Sequence, residues 1–238
     1  HQRGYIERDP FADIRRPRAI SREVVPLSVD QAEASFRSAQ QHDEKWVTLN
    51  QFAYETGMRL EEISHQRMED IDFTGALIKV EPHPKGLCEC FQCKKEGGRG
   101  WYGKAGVPRK IPLSASLLSR LLAQFQGQKR DCLFQITTTA IMNALRRANR
   151  RAGIQGKAAT HIFRHTLATD MEKAGVRRAA IRAILGHGNS STTDIYTHVS
   201  VGELHEEFQK VLDWRIAQKT KVKTSSVGGF QVIEAAAS

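Results

Sequence analysis

The sequence predicts an α+β fold, a mainly helical domain with one small antiparallel β-sheet. Three observations carry this expectation. Apolar residues recur at helical spacing over much of the chain, and almost continuously from Ser114 onward. Only Ala76-Leu77-Ile78-Lys79-Val80 and Arg109-Lys110-Ile111-Pro112-Leu113 are strand-like, and the two can pair. At 238 residues the chain can bury one good core, and no internal repeat divides it.

Taken in order, residues 1–28 hold Pro10, Pro17 and Pro26, with Arg15, Arg16 and Arg18 among them and no apolar period, the pattern of an extended basic linker. Ser28-Val29-Asp30 reads as a cap that opens a helix over 29–40, and a second helix follows over 45–56. Gly57 breaks it, and a short helix resumes over Glu61–Gln66. The two strands come next. The 28 residues between them, 81–108, are long for a hairpin connection and mark an insertion with a function or a stabilisation of its own. Helices are then predicted over 114–126, 137–152, 160–174, 177–185, 190–196 and 201–217, and residues 220–238 are left outside the fold as a tail.

The formal net charge of +10 and a pI near 9.7 point to a polyanionic partner, because clustered Lys and Arg gain affinity by releasing counterions from phosphates. Nucleic acid is the first reading, ahead of a membrane surface or simple solubility. No apolar run approaches the roughly 20 residues that span a bilayer, and no signal-peptide pattern opens the chain, so a cytoplasmic protein without membrane attachment is expected. Of four cysteines, three crowd at Cys88, Cys90 and Cys93, which is not the layout of a secreted disulfide framework.

Three blocks carry chemistry. Thr56-Gly57-Met58-Arg59-Leu60-Glu61-Glu62 holds an arginine just after a glycine, at the start of a helix. His161-Ile162-Phe163-Arg164-His165 puts a histidine and an arginine three apart, on one helical face. Leu185-Gly186-His187 is followed, nine residues after the histidine, by Tyr196. Arginine forks, histidines and a tyrosine are what phosphodiester chemistry through a covalent protein link needs, since a pentacoordinate phosphorus must be held by fixed cationic donors. The order of the blocks, and the 23 residues from Arg164 to His187, resemble the tyrosine recombinase (phage integrase) family over roughly residues 29–215.

That resemblance implies a mainly helical catalytic domain over 29–200 with an inserted hairpin loop at 81–108, preceded by an interdomain linker over 1–28 whose amino-terminal DNA-clamping domain is not in this sequence. It also implies a set of roles. Tyr196 is the nucleophile that forms a 3'-phosphotyrosyl link; Arg59 and Arg164 clamp the phosphate; His161 is an acid/base group; His187 bonds a non-bridging oxygen or positions Tyr196. Glu62, three residues beyond Arg59, orients Arg59 or His161. Lys104 matches the hairpin lysine that protonates the departing 5'-oxygen, with Lys85, Lys94 and Lys95 as competitors. His165 and His198 read as capping or packing residues. Arg15, Arg16, Arg18 and Lys85 are candidate DNA contacts.

No cofactor is required by this chemistry, but Cys88, Cys90 and Cys93, with His83, could supply four ligands to a structural zinc ion; surface thiols are the alternative. The partner implied is double-stranded DNA with a specific recombination site, bound by a homotetramer in a cytoplasmic, nucleoid-associated setting. In the helix over 201–219, Leu204, Phe208, Val211, Leu212 and Ile216 form an apolar face for docking on a neighbouring protomer or on the chain's own domain. A type IB topoisomerase and a DNA-binding regulator without catalysis are the competing functions; the complete set of candidate catalytic residues argues against the latter.

Overall fold

The computed structural model describes residues 25–41, 43–84, 91–95, 97, 100–101, 108–128, 132–154, 159–186 and 199–227. It is α+β as expected. Helices α1 (Val29–Gln40), α2 (Glu44–Thr56) and α3 (Leu60–His65) are followed by a short 3-10 turn, Met68–Asp70, and strands β1 (Ile71–Asp72) and β2 (Leu77–Val80). Helix α4 (Phe91–Lys95) lies inside the insertion, before β3 (Arg109–Pro112). Helices α5 (Ala115–Phe125), α6 (Thr138–Arg151), α7 (Ala159–Lys173), α8 (Arg178–Leu185) and α9 (Val201–Val227) complete the described elements.

Ser28 caps α1 as the sequence predicts: its hydroxyl accepts from the Gln31 N–H, while the Gln31 side chain accepts from the Ser28 N–H. Helix α2 is the axle. Every residue from Val47 to Thr56 is buried, so no polar face survives. Its polar side chains are accommodated by hydrogen bonds: Thr48 and Asn50 donate to carbonyls of the preceding turn, Asn50 also accepts from Ser35, and the Thr56 hydroxyl donates to the Phe52 carbonyl. Around α2 pack α1, α5, α6 and α7, with Phe52, Phe134 and Phe163 among the fully buried rings.

The predicted strands pair antiparallel, Leu77 opposite Pro112 and Val80 opposite Arg109. A two-residue strand, β1, which the sequence reading missed, extends the sheet to the order β1-β2-β3, with Ile71 opposite Ile78. So short a strand carries no alternation from which to predict it.

Helix α9 runs to Val227, past the predicted end at 217, and of the two expected places for its apolar face the described residues show the chain's own domain. Leu204, Phe208 and Val211 belong to the main core, and Leu212 packs against it; only Ile216, 60% exposed, faces outward. Arg215 locks this docking: buried, it donates from Nε to Asp170 of α7 (2.8 Å) and lies 3.8 Å over the Tyr54 ring of α2. The predicted helix over 190–196 and the tail beyond 227 lie outside the described residues, as does the linker over 1–24.

Candidate active site

The ends of α2 and α8, the start of α3, helix α7 and strand β3 assemble the site. Helix α2 ends on Gly57 in the left-handed conformation (φ 57°), where a β-carbon would come within 2.9 Å of Leu167 Cδ2 and 3.3 Å of Leu185 Cδ2. The break lets the chain turn at once into α3, with Arg59 as its N-cap. Glu62 then folds back, accepting from the Arg59 N–H (2.7 Å) and from the Arg59 guanidinium (3.1 Å). Glu62 thus meets both the backbone and the side chain of Arg59.

The same carboxylate holds a second arginine, one to which the sequence reading gave no role in the site. Arg109, at the start of β3, donates from Nη1 to Oε1 (3.0 Å) and from Nη2 to Oε2 (2.7 Å) of Glu62, a bidentate pair, and from Nε to the Ile184 carbonyl (3.0 Å). Its side chain is only 7% exposed, against 28% for Arg59. Arg109 and Ile111 share a strand face, and that period-two relation was the one signal available.

Arg164, on α7, is buried and donates to two backbone carbonyls: Gly57, at 3.0 Å, and Leu185. The last carbonyls of α8 thus receive two guanidinium groups, Arg109 on Ile184 and Arg164 on Leu185, where the negative end of the helix favours cations. Gly186 closes α8 in the left-handed conformation (φ 66°), with its missing β-carbon only 3.0 Å from Arg109 Cδ. The glycine of Leu185-Gly186-His187 is therefore required both by the turn and by the close approach of Arg109.

Three guanidinium groups and one carboxylate leave the cluster with a surplus of two positive charges. Burial pulls the Arg164 pKa down to about 10, helped by the charges of Arg59 and Arg109 and opposed by Glu62; it stays protonated at neutral pH. Burial alone would raise the Glu62 carboxyl, but the hydrogen bonds and charge of Arg109, then those of Arg59, hold it below the usual carboxylate range. An arginine set that is charged, rigid and under-neutralised is suited to holding a phosphodiester.

His161 stands exposed on the first turn of α7, three residues before Arg164. His165 is exposed as well. His187, Tyr196, His198, Lys104, Lys85, Arg15, Arg16, Arg18, Cys88 and Cys90 lie outside the described residues. Of the proposed metal ligands His83 and Cys93 are described. Both are buried, so the alternative of a surface thiol fails for Cys93.

The chain is similar to known proteins in sequence and in fold. The model of the phage integrase family matches residues 22–203. The chain is 26% identical to a tyrosine recombinase of Pseudothermotoga lettingae over 87% of its own length and 67% of the relative's. It is 30% identical to the tyrosine recombinase XerA of Thermococcus onnurineus over 66% of its length and 52% of the relative's. The chain thus spans about half to two thirds of the curated relatives it matches. Among solved structures, the crystal structure of XerA recombinase superposes with a TM-score of 0.54 at 25% identity, covering 82% of this chain and 66% of that one.

Proposed function

The chain belongs to the phage integrase family, and on that premise we propose that it is the catalytic part of a site-specific DNA recombinase that cuts and rejoins strands through a 3'-phosphotyrosyl intermediate. The observation that carries the reading is the under-neutralised cluster of Arg59, Arg109 and Arg164 around Glu62, beside the turn at Gly186 that leads to His187. Arg59, the more exposed of the three, and Arg164 donate to the non-bridging oxygens of the scissile phosphate. Arg109 holds Glu62 and is a positioning residue.

The Tyr196 hydroxyl attacks phosphorus, its proton passing to a base for which His161 is the candidate. The bond from phosphorus to the 5'-oxygen breaks, and Lys104 gives that oxygen a proton. His187 supports a non-bridging oxygen or the tyrosine. The phosphotyrosyl link conserves the energy of the broken ester, so a 5'-hydroxyl from another strand reverses the step without ATP. Duplex DNA with a specific site is the partner, Arg15, Arg16, Arg18 and Lys85 contacting its backbone, and a tetramer on two duplexes in the nucleoid is the working assembly. No described helix is long and apolar enough to cross a membrane.

A nicked suicide substrate tests this, because loss of the short fragment that carries the freed 5'-hydroxyl traps the covalent complex. The wild-type chain should form a denaturant-resistant adduct with DNA, and Tyr196→Phe should form none while binding DNA within a few fold of wild type. An undiminished adduct in Tyr196→Phe would reject the assignment.

A further inference from the structure

The insertion between β2 and β3 carries a second cluster, apart from the arginines. His65, the last residue of α3, His83, just beyond β2, and Cys93, in the middle of α4, converge from three separate segments. All are buried, at 3%, 3% and 1% exposure. Their ligand atoms lie within 4.8 Å of one another, with Cys93 Sγ 3.5 Å from His65 Nδ1. A tetrahedral zinc with bonds of about 2.3 Å to sulfur and about 2.0 Å to nitrogen separates those two ligands by about 3.5 Å.

The surroundings are built to hold the rings still. Trp101 stacks on His65 with centroids 5.1 Å apart and meets His83 edge to face at 5.9 Å. His83 and Trp101 also exchange backbone hydrogen bonds, of 2.5 and 2.7 Å, that close the insertion at its base. Two imidazoles and a thiol, dry and convergent, form a borderline-soft donor set that suits zinc rather than magnesium or calcium.

We propose that His65, His83 and Cys93 supply three of the four ligands of a structural zinc ion that fastens the insertion to α3. Cys88 and Cys90 lie outside the described residues, and the described cluster adds His65, to which the sequence reading gave no role. Its place matters because His65 sits three residues after Glu62 on the same six-residue helix. The ion would thereby stiffen the helix that positions Arg59 and Arg109, and, through Trp101 packed on both imidazoles, would steady the chain three residues before Lys104.

The test uses the full chain purified without chelator. Elemental analysis should find about one zinc per chain. Exchange for cobalt(II) should give the ligand-field bands of a four-coordinate ion together with a thiolate charge-transfer band. His65→Gln and Cys93→Ser should each lose most of the metal and the charge-transfer band should vanish in Cys93→Ser, whereas Cys132→Ala, a change at another buried cysteine, should keep both. Chelation should lower the melting temperature of wild type and leave Cys93→Ser unchanged. Should either ligand variant fail to fold, the wild-type cobalt spectrum and zinc content decide alone. A wild-type chain that neither retains zinc nor takes up cobalt, or full metal content in folded His65→Gln and Cys93→Ser, would overturn the proposal. Because every readout is independent of DNA cleavage, its failure is distinguishable from failure of the recombinase reading.

Discussion

Arg109→Ala probes the cluster at its most buried link. The substitution removes both halves of a bidentate pair with Glu62, at 2.7 and 3.0 Å, and the bond to the Ile184 carbonyl. Removing one partner of a buried ion pair costs about 3–5 kcal/mol, mostly because the other charge is stranded. Glu62 keeps two bonds from Arg59, so the lower end applies, about 3 kcal/mol. For a chain of this size about 3 kcal/mol lowers the melting temperature by roughly 6–12 °C. Arg109→Lys should recover only part, since an ammonium cannot present the planar fork. Adding Glu62→Gln to Arg109→Met should restore more stability than the two single changes predict, a coupling of about 1–3 kcal/mol in a double-mutant cycle. Scanning calorimetry or thermal circular dichroism reads all of these. A melting temperature for Arg109→Ala within about 2 °C of wild type would refute the inference that Arg109 holds Glu62 in place.

Two further predictions rest on α9. Phe208→Ala removes a buried ring and should cost about 3–5 kcal/mol, and truncation after Val201 should abolish cooperative unfolding, because Leu204, Phe208 and Val211 are core; a stable, DNA-binding truncated monomer would show that this face is dispensable to the domain. Glu207 of α9 accepts from the Arg177 N–H at the start of α8, from the Arg177 side chain and from Lys210. Its burial would raise the carboxyl, but these bonds hold it down, to about 2 from an ordinary 4.5. A depressed acid stabilises the fold above its unfolded pKa and loses that contribution as pH falls through the folded one. The melting difference between wild type and Glu207→Gln should therefore be full at neutral pH and shrink between pH 4.5 and 2; a difference that persists unchanged at pH 2 would contradict the assignment.

The sequence by itself determined whatever depends on local spacing. The capped start of α1, the break at Gly57, the two strand segments and the α+β class follow from propensity and period, each a property of a few neighbouring residues. So does the pairing of Arg59 with Glu62, because a capping carboxylate three residues on reaches back along its own helix. His161 and Arg164, three apart on α7, were legible for the same reason, although the fold leaves one exposed and buries the other. The tertiary structure alone decided partnerships across long separations. Arg109 meets Glu62 from 47 residues away, and His65 meets Cys93 from 28. No periodicity encodes such meetings, since they depend on which strand lies beside which helix end. The fate of the α9 face was settled the same way: an apolar stripe states that something must cover it, and only the packing of α7, α8, α1 and β3 against that stripe shows that the chain covers it itself.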